Sequence, residues 1–384
     1  MTLLAMIDTD ILLQEFTTRY DGEAQLFTAP GRINLIGEHT DYNGGFVFPG
    51  AVDKAISAAI RPNRSRKVNL YAIDLHKGCS FDLGDTQGPV DTHFRYVYGV
   101  VCEMIVAGVS VEGFDAVYGG DVPLGAGMSS SAALECCFAN ALNSLFNGNL
   151  DKMTLARIGQ ATEHKYVGVK CGIMDQFASM HGNAGNLMRL DCRSGEFEYF
   201  PWHPDGYQLV LVNSCVKHEL VGSPYNDRRA SCERVASLAG VETLRDCSWQ
   251  QLEAIKTQLS NDDYRRARYV LGEKDRVLAV SDALKRGDYE EVGRRMYQTH
   301  EGLSHDYEVS CPELDFLVAE AQRLGATGSR LMGGGFGGCT INLVKDSLYD
   351  RFLYEISKPY ETIFHIACQP IPVVISDGAK CIEK

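Results

Sequence analysis

No segment of the chain approaches the roughly 20 consecutive apolar residues that a membrane-spanning helix needs, so no membrane span is expected. Positive charge is also short. The 37 lysines and arginines face 50 aspartates and glutamates, leaving a net charge of −13. That balance argues against the nonspecific phosphate neutralisation on which nucleic-acid binding rests. No C-x-x-C pair occurs among the 13 cysteines, and their number is odd. Cys136, Cys137, Cys215 and Cys339 lie within apolar runs and read as small core residues in a reducing compartment. The start, MTLLAMIDTDILLQEF, has no basic n-region, and Asp8 and Asp10 interrupt its apolar run. An amphipathic helix is expected there, not a signal peptide, and the protein is expected in the cytoplasm. The chain also lacks repeats, low-complexity tracts and the G-x-x-x-x-G-K-[ST] phosphate loop. No obligate protein partner is evident.

What is present suits a globular protein of two or three domains, with 45% hydrophobic residues available for a core. Short β-branched and aromatic runs predict strands over 46–60, 67–74 and 208–214. Apolar spacing predicts helices over 93–108, from the serines at 129–131 to Gly148, over 151–167 and from Asn226 to Gly240. The stretch 168–182 reads as a loop, and 241–300 as helical. At 310–325 a capping box is expected, with Ser310 as N-cap and Glu313 three residues on. The last strand is expected within 362–376. A shift from strand-rich to helix-rich near residue 200 divides the chain into 1–204 and 205–384.

Four constellations carry chemistry. In PLGAGMSSSAALE (123–135), Gly125 and Gly127 allow close backbone approach, and serines open a helix whose free N–H groups point outward. The stretch reads either as an anion site for a nucleotide polyphosphate or as an ordinary capped helix. In CGIMDQ (171–176), Asp175 reads as a general base or as a helix N-cap. Glu163, in the preceding segment, reads as a cation ligand or a surface carboxylate. MGGGFGGC (332–339) packs five glycines into positions 333–338, so its turn passes close to a ligand or to another strand. Finally, APGRINLIGEHTDYNGG (29–45) crowds Arg32, Glu38, His39 and Asp41 into ten positions around Ile33, Leu35 and Ile36. Carboxylates and an imidazole suit sugar hydroxyls, and Arg32 suits a transferring phosphoryl group. A salt-bridged loop would carry the same residues.

The order and wording of these segments closely resemble the galactokinases of the GHMP small-molecule kinase superfamily. GRINLIGEHTDYN resembles the galactokinase signature, PLGAGMSSSA the superfamily's phosphate loop, and MGGGFGGC its third motif. CGIMDQ and GSPYNDRR (222–229) are similar to further galactokinase blocks. The resemblance implies an α/β (α+β) two-domain GHMP kinase fold. Its N-terminal domain would hold a left-handed βαβ crossover and its C-terminal domain would be ferredoxin-like, with the active site in the cleft between them. It implies ATP-dependent phosphorylation of α-D-galactose at the anomeric C1 hydroxyl, with Mg²⁺ as cofactor. Glu38, His39, Asp41, Gly172 and Tyr225 would form the sugar pocket. Gly125, Ala126, Gly127, Met128, Ser129, Ser130 and Ser131 would hold the ATP phosphates, with Ser131 and Glu163 as Mg²⁺ ligands. Asp175 would be the catalytic base and Arg32 would stabilise the developing charge. Kinases of N-acetylgalactosamine or L-arabinose, and a non-catalytic galactose and ATP sensor, are the alternatives. Two positions depart from the family pattern: Met128 replaces the commoner Leu, and Met332 stands where many relatives carry Thr. No role is transferred to Met332.

Overall fold

The computed structural model describes residues 9–123, 125–216 and 224–383. In its first half run α1 (Thr9–Arg19), β1 (Gln25–Asn34), β2 (Phe46–Val47), β3 (Pro49–Pro62), β4 (Lys67–Ala72), β5 (Lys77–Asp82), α2 (Thr92–Val106), β6 (Phe114–Gly120), α3 (Ser130–Leu145), α4 (Lys152–Thr162), α5 (Met174–His181), β7 (Asn186–Asp191) and β8 (Phe197–Pro201). The second half adds β9 (Tyr207–Asn213), α6 (Pro224–Ala239), α7 (Trp249–Ile255), α8 (Asn261–Lys285), α9 (Tyr289–Glu301), α10 (Pro312–Leu324), β10 (Gly328–Leu331), β11 (Cys339–Lys345), α11 (Asp346–Glu355), α12 (Ser357–Phe364), β12 (Gln369–Pro372) and β13 (Lys380–Ile382).

Local rules place most of these elements. Along β4, Val68, Leu70 and Ala72 alternate inward with exposed or half-exposed neighbours, as a strand with one buried face should. Asp91 caps α2 by accepting from the His93 backbone N–H, and the helix buries Phe94, Val97, Val100, Val101 and Met104 along one stripe. α3 buries an unbroken run from Ala132 to Ala139 because it lies against β1 and β3 with α2 and α4 at its sides.

Among the described residues three sheets result. The largest has strand order β13-β1-β3-β6-β4-β5, a second has β10-β11-β9-β12, and a small third joins β2, β7 and β8. Among the described residues only the β4–β6 pairing is parallel. The chain end returns to the first half, where β13 pairs antiparallel with β1. One continuous core joins Ile33, Leu35 and Ile36 to Val277 and Val280 of α8 and to Ile341 of β11. Two glycines permit the approaches that shape the cleft. A Cβ at Gly31 would sit 2.7 Å from the Met128 carbonyl, and one at Gly127 would sit 2.9 Å from the Met332 carbonyl. The strand end, the loop before α3 and the β10–β11 turn therefore meet at one place.

Several expectations need correction. Residues 174–181 form α5, not part of a loop. Burial of Met174, Phe177, Ala178 and Met180 beneath the sheets rewards the helical turn more than the flanking glycines disfavour it. The capping box at 310–313 is absent. Cys311 is the N-cap with Pro312 at the first helical position, and the Ser310 hydroxyl donates instead to Asp315 Oδ1 at 2.6 Å. α6 begins at Pro224, two residues before Asn226. The final segment holds the end of α12 and β12, and β13 follows later. Residues 1–8 of the expected N-terminal helix, and Gly222 and Ser223 of GSPYNDRR, lie outside the described residues. Among the described residues no helix is long and apolar enough to cross a membrane.

Candidate active site

The segment after β1 is held rigidly from below. Ile33, Leu35 and Ile36 are fully buried, each adding roughly 1.5–3 kcal/mol of anchoring. Gly37 takes φ +102°, and a Cβ there would lie 2.8 Å from the Phe46 carbonyl, so only glycine fits the turn. Its N–H donates to Glu273 Oε1 of α8 at 2.8 Å. Tyr269, also on α8, donates its hydroxyl to the Glu38 carbonyl at 3.0 Å. The turn thus projects Glu38, His39 and Asp41 toward one side.

Asp175 lies in the first turn of α5 but does not cap it, since Ile173 holds the cap position. Its carboxylate faces across the cleft to Arg32, which donates through Nε to Oδ1 at 2.8 Å and through Nη2 to Oδ2 at 2.9 Å. The Ser129 hydroxyl donates to Oδ2 at 2.6 Å, while Arg32 Nη1 donates to the Gly127 carbonyl. Ser129 was expected to help cap α3. It occupies the N-cap position with φ +59° and makes no capping hydrogen bond, because its hydroxyl is turned to Asp175. A non-glycine residue in the left-handed region beside a carboxylate–guanidinium pair is local strain placed at a site.

A cleft of about 260 Å³ collects the expected residues. Arg32, Glu38, His39, Asp41, Gly172 and Tyr225 line it, as do Gly125, Gly127, Met128 and Ser129 to Ser131, Glu163 and Asp175. Ala126 does not line it and is buried in the core. Gly172 touches Asp41 so closely that a Cβ would stand 1.9 Å from its Oδ2. Tyr225 is buried and its ring lies 5.4 Å from that of His39. The third glycine motif passes close to the glycine loop before α3 rather than only to a strand. Cβ atoms at Gly333 and Gly338 would meet Gly127 O at 3.2 Å and Gly127 N at 3.3 Å. Met332 buries its side chain in the core.

Electrostatics divide the cleft. His39 Nδ1 lies 2.8 Å from the Tyr42 hydroxyl, which lies 2.7 Å from that of Tyr307. Burial and the nearby Arg228 guanidinium depress the His39 pKa to about 3, so its imidazole is neutral. Burial, reinforced by the charge on Asp175, raises the Asp41 carboxyl to about 7. Burial also pushes Glu163 up to about 7, against the hydrogen bond from Ser131, with Asp175 adding to the rise. Glu163 is therefore a buried carboxylate, not a surface one. Behind it Glu135, wholly buried and accepting from Gln176 Nε2 at 2.9 Å, is raised well above the carboxylate range by burial and by Glu163. Burial opposes the Arg32 charge, but Asp175 and Glu38 outweigh it and raise its pKa.

Glu38, Asp41, Glu163 and Asp175 face the cleft, with Arg32 as its one guanidinium among the described residues. A polyphosphate entering this acidic space needs a cation with it. Ser131 and Glu163 fit a hard divalent ion, since a hydroxyl and a carboxylate meet at the amino end of α3. Among the described residues no cluster of three His, Cys, Asp or Glu offers a full protein cage. A second cavity of about 410 Å³ adjoins the loop through Tyr96, Pro123, Ser130 and Ser131. It is also lined by His93, Tyr118 and Asp121, whose Nε2, hydroxyl and Oδ2 atoms are buried without a hydrogen-bond partner among the described residues.

Sequence reasoning missed the Ser129–Asp175 bond, the grip of Tyr269 and Glu273, this second cavity, and Arg330. For Arg330 a signal existed: an arginine inside the glycine-flanked run GSRLMGGG.

Comparison with known proteins identifies the family and the fold. A model of the galactokinase galactose-binding signature matches residues 14–62. Models of the GHMP kinase N-terminal and C-terminal domains match 95–183 and 280–361. The chain is 40% identical over 362 residues to the galactokinase of Roseiflexus sp. (strain RS-1), covering 92% of each chain. It is 39% identical over 355 residues to the galactokinase of Homo sapiens, covering 90% of each. Among solved structures it is similar to Lactococcus lactis galactokinase complexed with galactose. That match has a TM-score of 0.94 and 32% identity, covering 97% of this chain and 100% of that one. The mevalonate kinase of Methanococcus jannaschii, at 18% identity and a TM-score of 0.67, shares the fold.

Proposed function

The chain belongs to the galactokinases of the GHMP kinase family, and from that membership we propose how its cleft transfers a phosphoryl group from ATP to galactose. The reaction gives galactose 1-phosphate and ADP, the entry step of galactose catabolism. One observation carries the residue-level reading: Asp175, Arg32 and Ser129 form a closed set where the acidic end of the cleft meets the glycine loop.

Galactose occupies the end lined by Glu38, His39, Asp41, Gly172 and Tyr225, where carboxylates accept from hydroxyls. The ATP phosphates lie along Gly125–Ser131 at the amino end of α3, where free N–H groups favour anions. The three unpartnered polar atoms of the second cavity suit the nucleoside, which adjoins the loop at Ser130 and Ser131. Asp175 Oδ2 already accepts two hydrogen bonds and Oδ1 one. A carboxylate has about four lone-pair sites, so Oδ1 keeps the open position. The C1 hydroxyl donates there, and its proton passes to Oδ1 as the oxygen attacks the γ-phosphorus. Phosphoryl transfer asks mainly for in-line positioning and charge neutralisation, and Arg32 supplies the fixed positive charge beside the transferring group. Ser131 and Glu163 would hold Mg²⁺, which when bound would offset negative charge on the ATP phosphates. Free thiols at all thirteen cysteines support a cytoplasmic setting.

A coupled ADP-release assay with galactose, N-acetylgalactosamine and L-arabinose in parallel tests this reading. The expected result is a kcat/KM highest for galactose. Tight binding of galactose and ATP without turnover would instead make the chain a sensor, and a preference for another sugar would reassign its substrate.

A further inference from the structure

Arg330 is among the largest fully buried side chains of the protein. A guanidinium in such a place needs hydrogen-bond partners, and four hydrogen bonds engage all three of its nitrogens. Nε donates to the Leu35 carbonyl at 3.1 Å and Nη2 to the Asn34 carbonyl. Nη1 donates to its neighbour Leu331's carbonyl at 2.6 Å and to Glu38 Oε1 at 3.0 Å. Apart from the bond to Leu331, every partner belongs to the segment that carries the sugar-facing residues. The same Glu38 Oε1 also accepts from the Gly333 N–H at 2.9 Å. Gly333 in turn lies against Gly127 of the phosphate loop. One carboxylate oxygen is thus fixed from two sides, and Oε2 is the acceptor that Glu38 has left for the cleft it lines.

We propose that Arg330 is a positioning residue of the sugar site, setting galactose affinity by holding Glu38 with one oxygen aimed into the cleft and by tying that segment to the third glycine motif. The planar fork suits this task, because its three nitrogens reach four separate acceptors. A lysine ammonium on a flexible stem supplies the charge but not the geometry. The inference rests on the reading that Glu38 binds the sugar, and the test separates the two.

Steady-state kinetics on the full-length Arg330→Lys, Glu38→Gln and doubly substituted proteins reads the effect, with thermal unfolding alongside. Arg330→Lys is expected to raise the galactose KM about 10- to 100-fold, the order that a misplacement near 1 Å produces. The ATP KM and kcat should stay within about threefold, the signature of lost uniform binding. In the Glu38→Gln background the same change should add little, because both act through one carboxylate. Equal losses in both KM values and kcat, or full additivity in the double variant, would overturn the proposal and leave Arg330 a structural residue only. An unchanged galactose KM in Glu38→Gln would instead overturn the assignment of Glu38 to the sugar. If Arg330→Lys does not fold, Glu38→Asp serves, since it keeps the charge but cannot span from Arg330 to the sugar. A galactose KM raised at least as far as in Glu38→Gln supports the proposal, and a KM like that of the unaltered protein refutes it.

Discussion

Replacing Gly172 with alanine isolates the contact that shapes the proposed sugar end of the cleft. Gly172 is not in the left-handed region, so the backbone accepts alanine and the effect is steric. The new Cβ would lie 1.9 Å from Asp41 Oδ2 and 2.1 Å from its Cγ. To regain ordinary van der Waals contact at 3.4 Å, the carboxylate must withdraw by about 1.5 Å. Asp41 can rotate its carboxylate away, but its Cβ would still stand 2.7 Å from the new methyl, so the backbone at 172 must give by a few tenths of an ångström as well. What goes is its hydrogen bond from the Tyr42 N–H, now 2.9 Å, and its aim at the sugar. Losing one hydrogen bond to a charged group costs about 1.5–3 kcal/mol, or roughly 10- to 150-fold in kcat/KM at about 1.4 kcal/mol per decade. Galactose kcat/KM should therefore fall by that factor in the ADP-release assay. The ATP KM should move less than about twofold, and the unfolding midpoint by only a few degrees. Galactose kinetics within twofold of the parent, or an equal loss on the ATP side, would refute the reasoning.

Arg32→Lys retains a positive charge but loses the paired grip on Asp175, so kcat should fall about 10²- to 10³-fold, checked by single-turnover rates at saturating substrates. Tyr118→Phe deletes one unpartnered polar atom of the second cavity. The ATP KM should rise several-fold with galactose kinetics unmoved, which initial-rate measurements would show. Glu163, raised to about 7 by burial, favours the fold while protonated, and that stability is lost as pH rises from the ordinary carboxylate range through about 7. The ligand-free protein should accordingly lose unfolding temperature across that window, and Glu163→Gln should reduce the slope without removing it, since Asp41 is raised into the same range. Binding of Mg-ATP near pH 6.5 should release a proton from the parent but not from Glu163→Gln, as calorimetry in buffers of different ionisation enthalpy would record.

The parts of the site legible in the sequence are those whose chemistry is local. Glycines at 125 and 127 and the clustered Arg32, Glu38, His39 and Asp41 announce close approach and paired charges within a few residues. Strands with one buried face and helices with capped ends were readable for the same reason. Partnerships over long separations were not. Nothing near Gly37 points to Glu273, and nothing near Glu38 points to Tyr269 or Arg330. Ser129 misled in an instructive way: a serine before a helix ordinarily caps it, yet a tertiary partner, Asp175, took its hydroxyl. Likewise α5 escaped notice because eight residues between glycines carry little periodic signal, and only burial among the sheets defines it. β13 is three residues long, and its pairing with β1 depends on the whole chain having folded.

Asp175→Asn carries the heaviest consequence. Removing a general base costs about 10²- to 10⁴-fold. The amide also turns a donor toward Arg32 or Ser129, disturbing a charge-assisted bond worth about 1.5–3 kcal/mol. The ADP-release rate with saturating galactose and ATP should therefore fall about 10³- to 10⁶-fold while calorimetry still detects galactose binding. A turnover rate within tenfold of the parent would remove Asp175 from the reaction and with it the proposed mechanism.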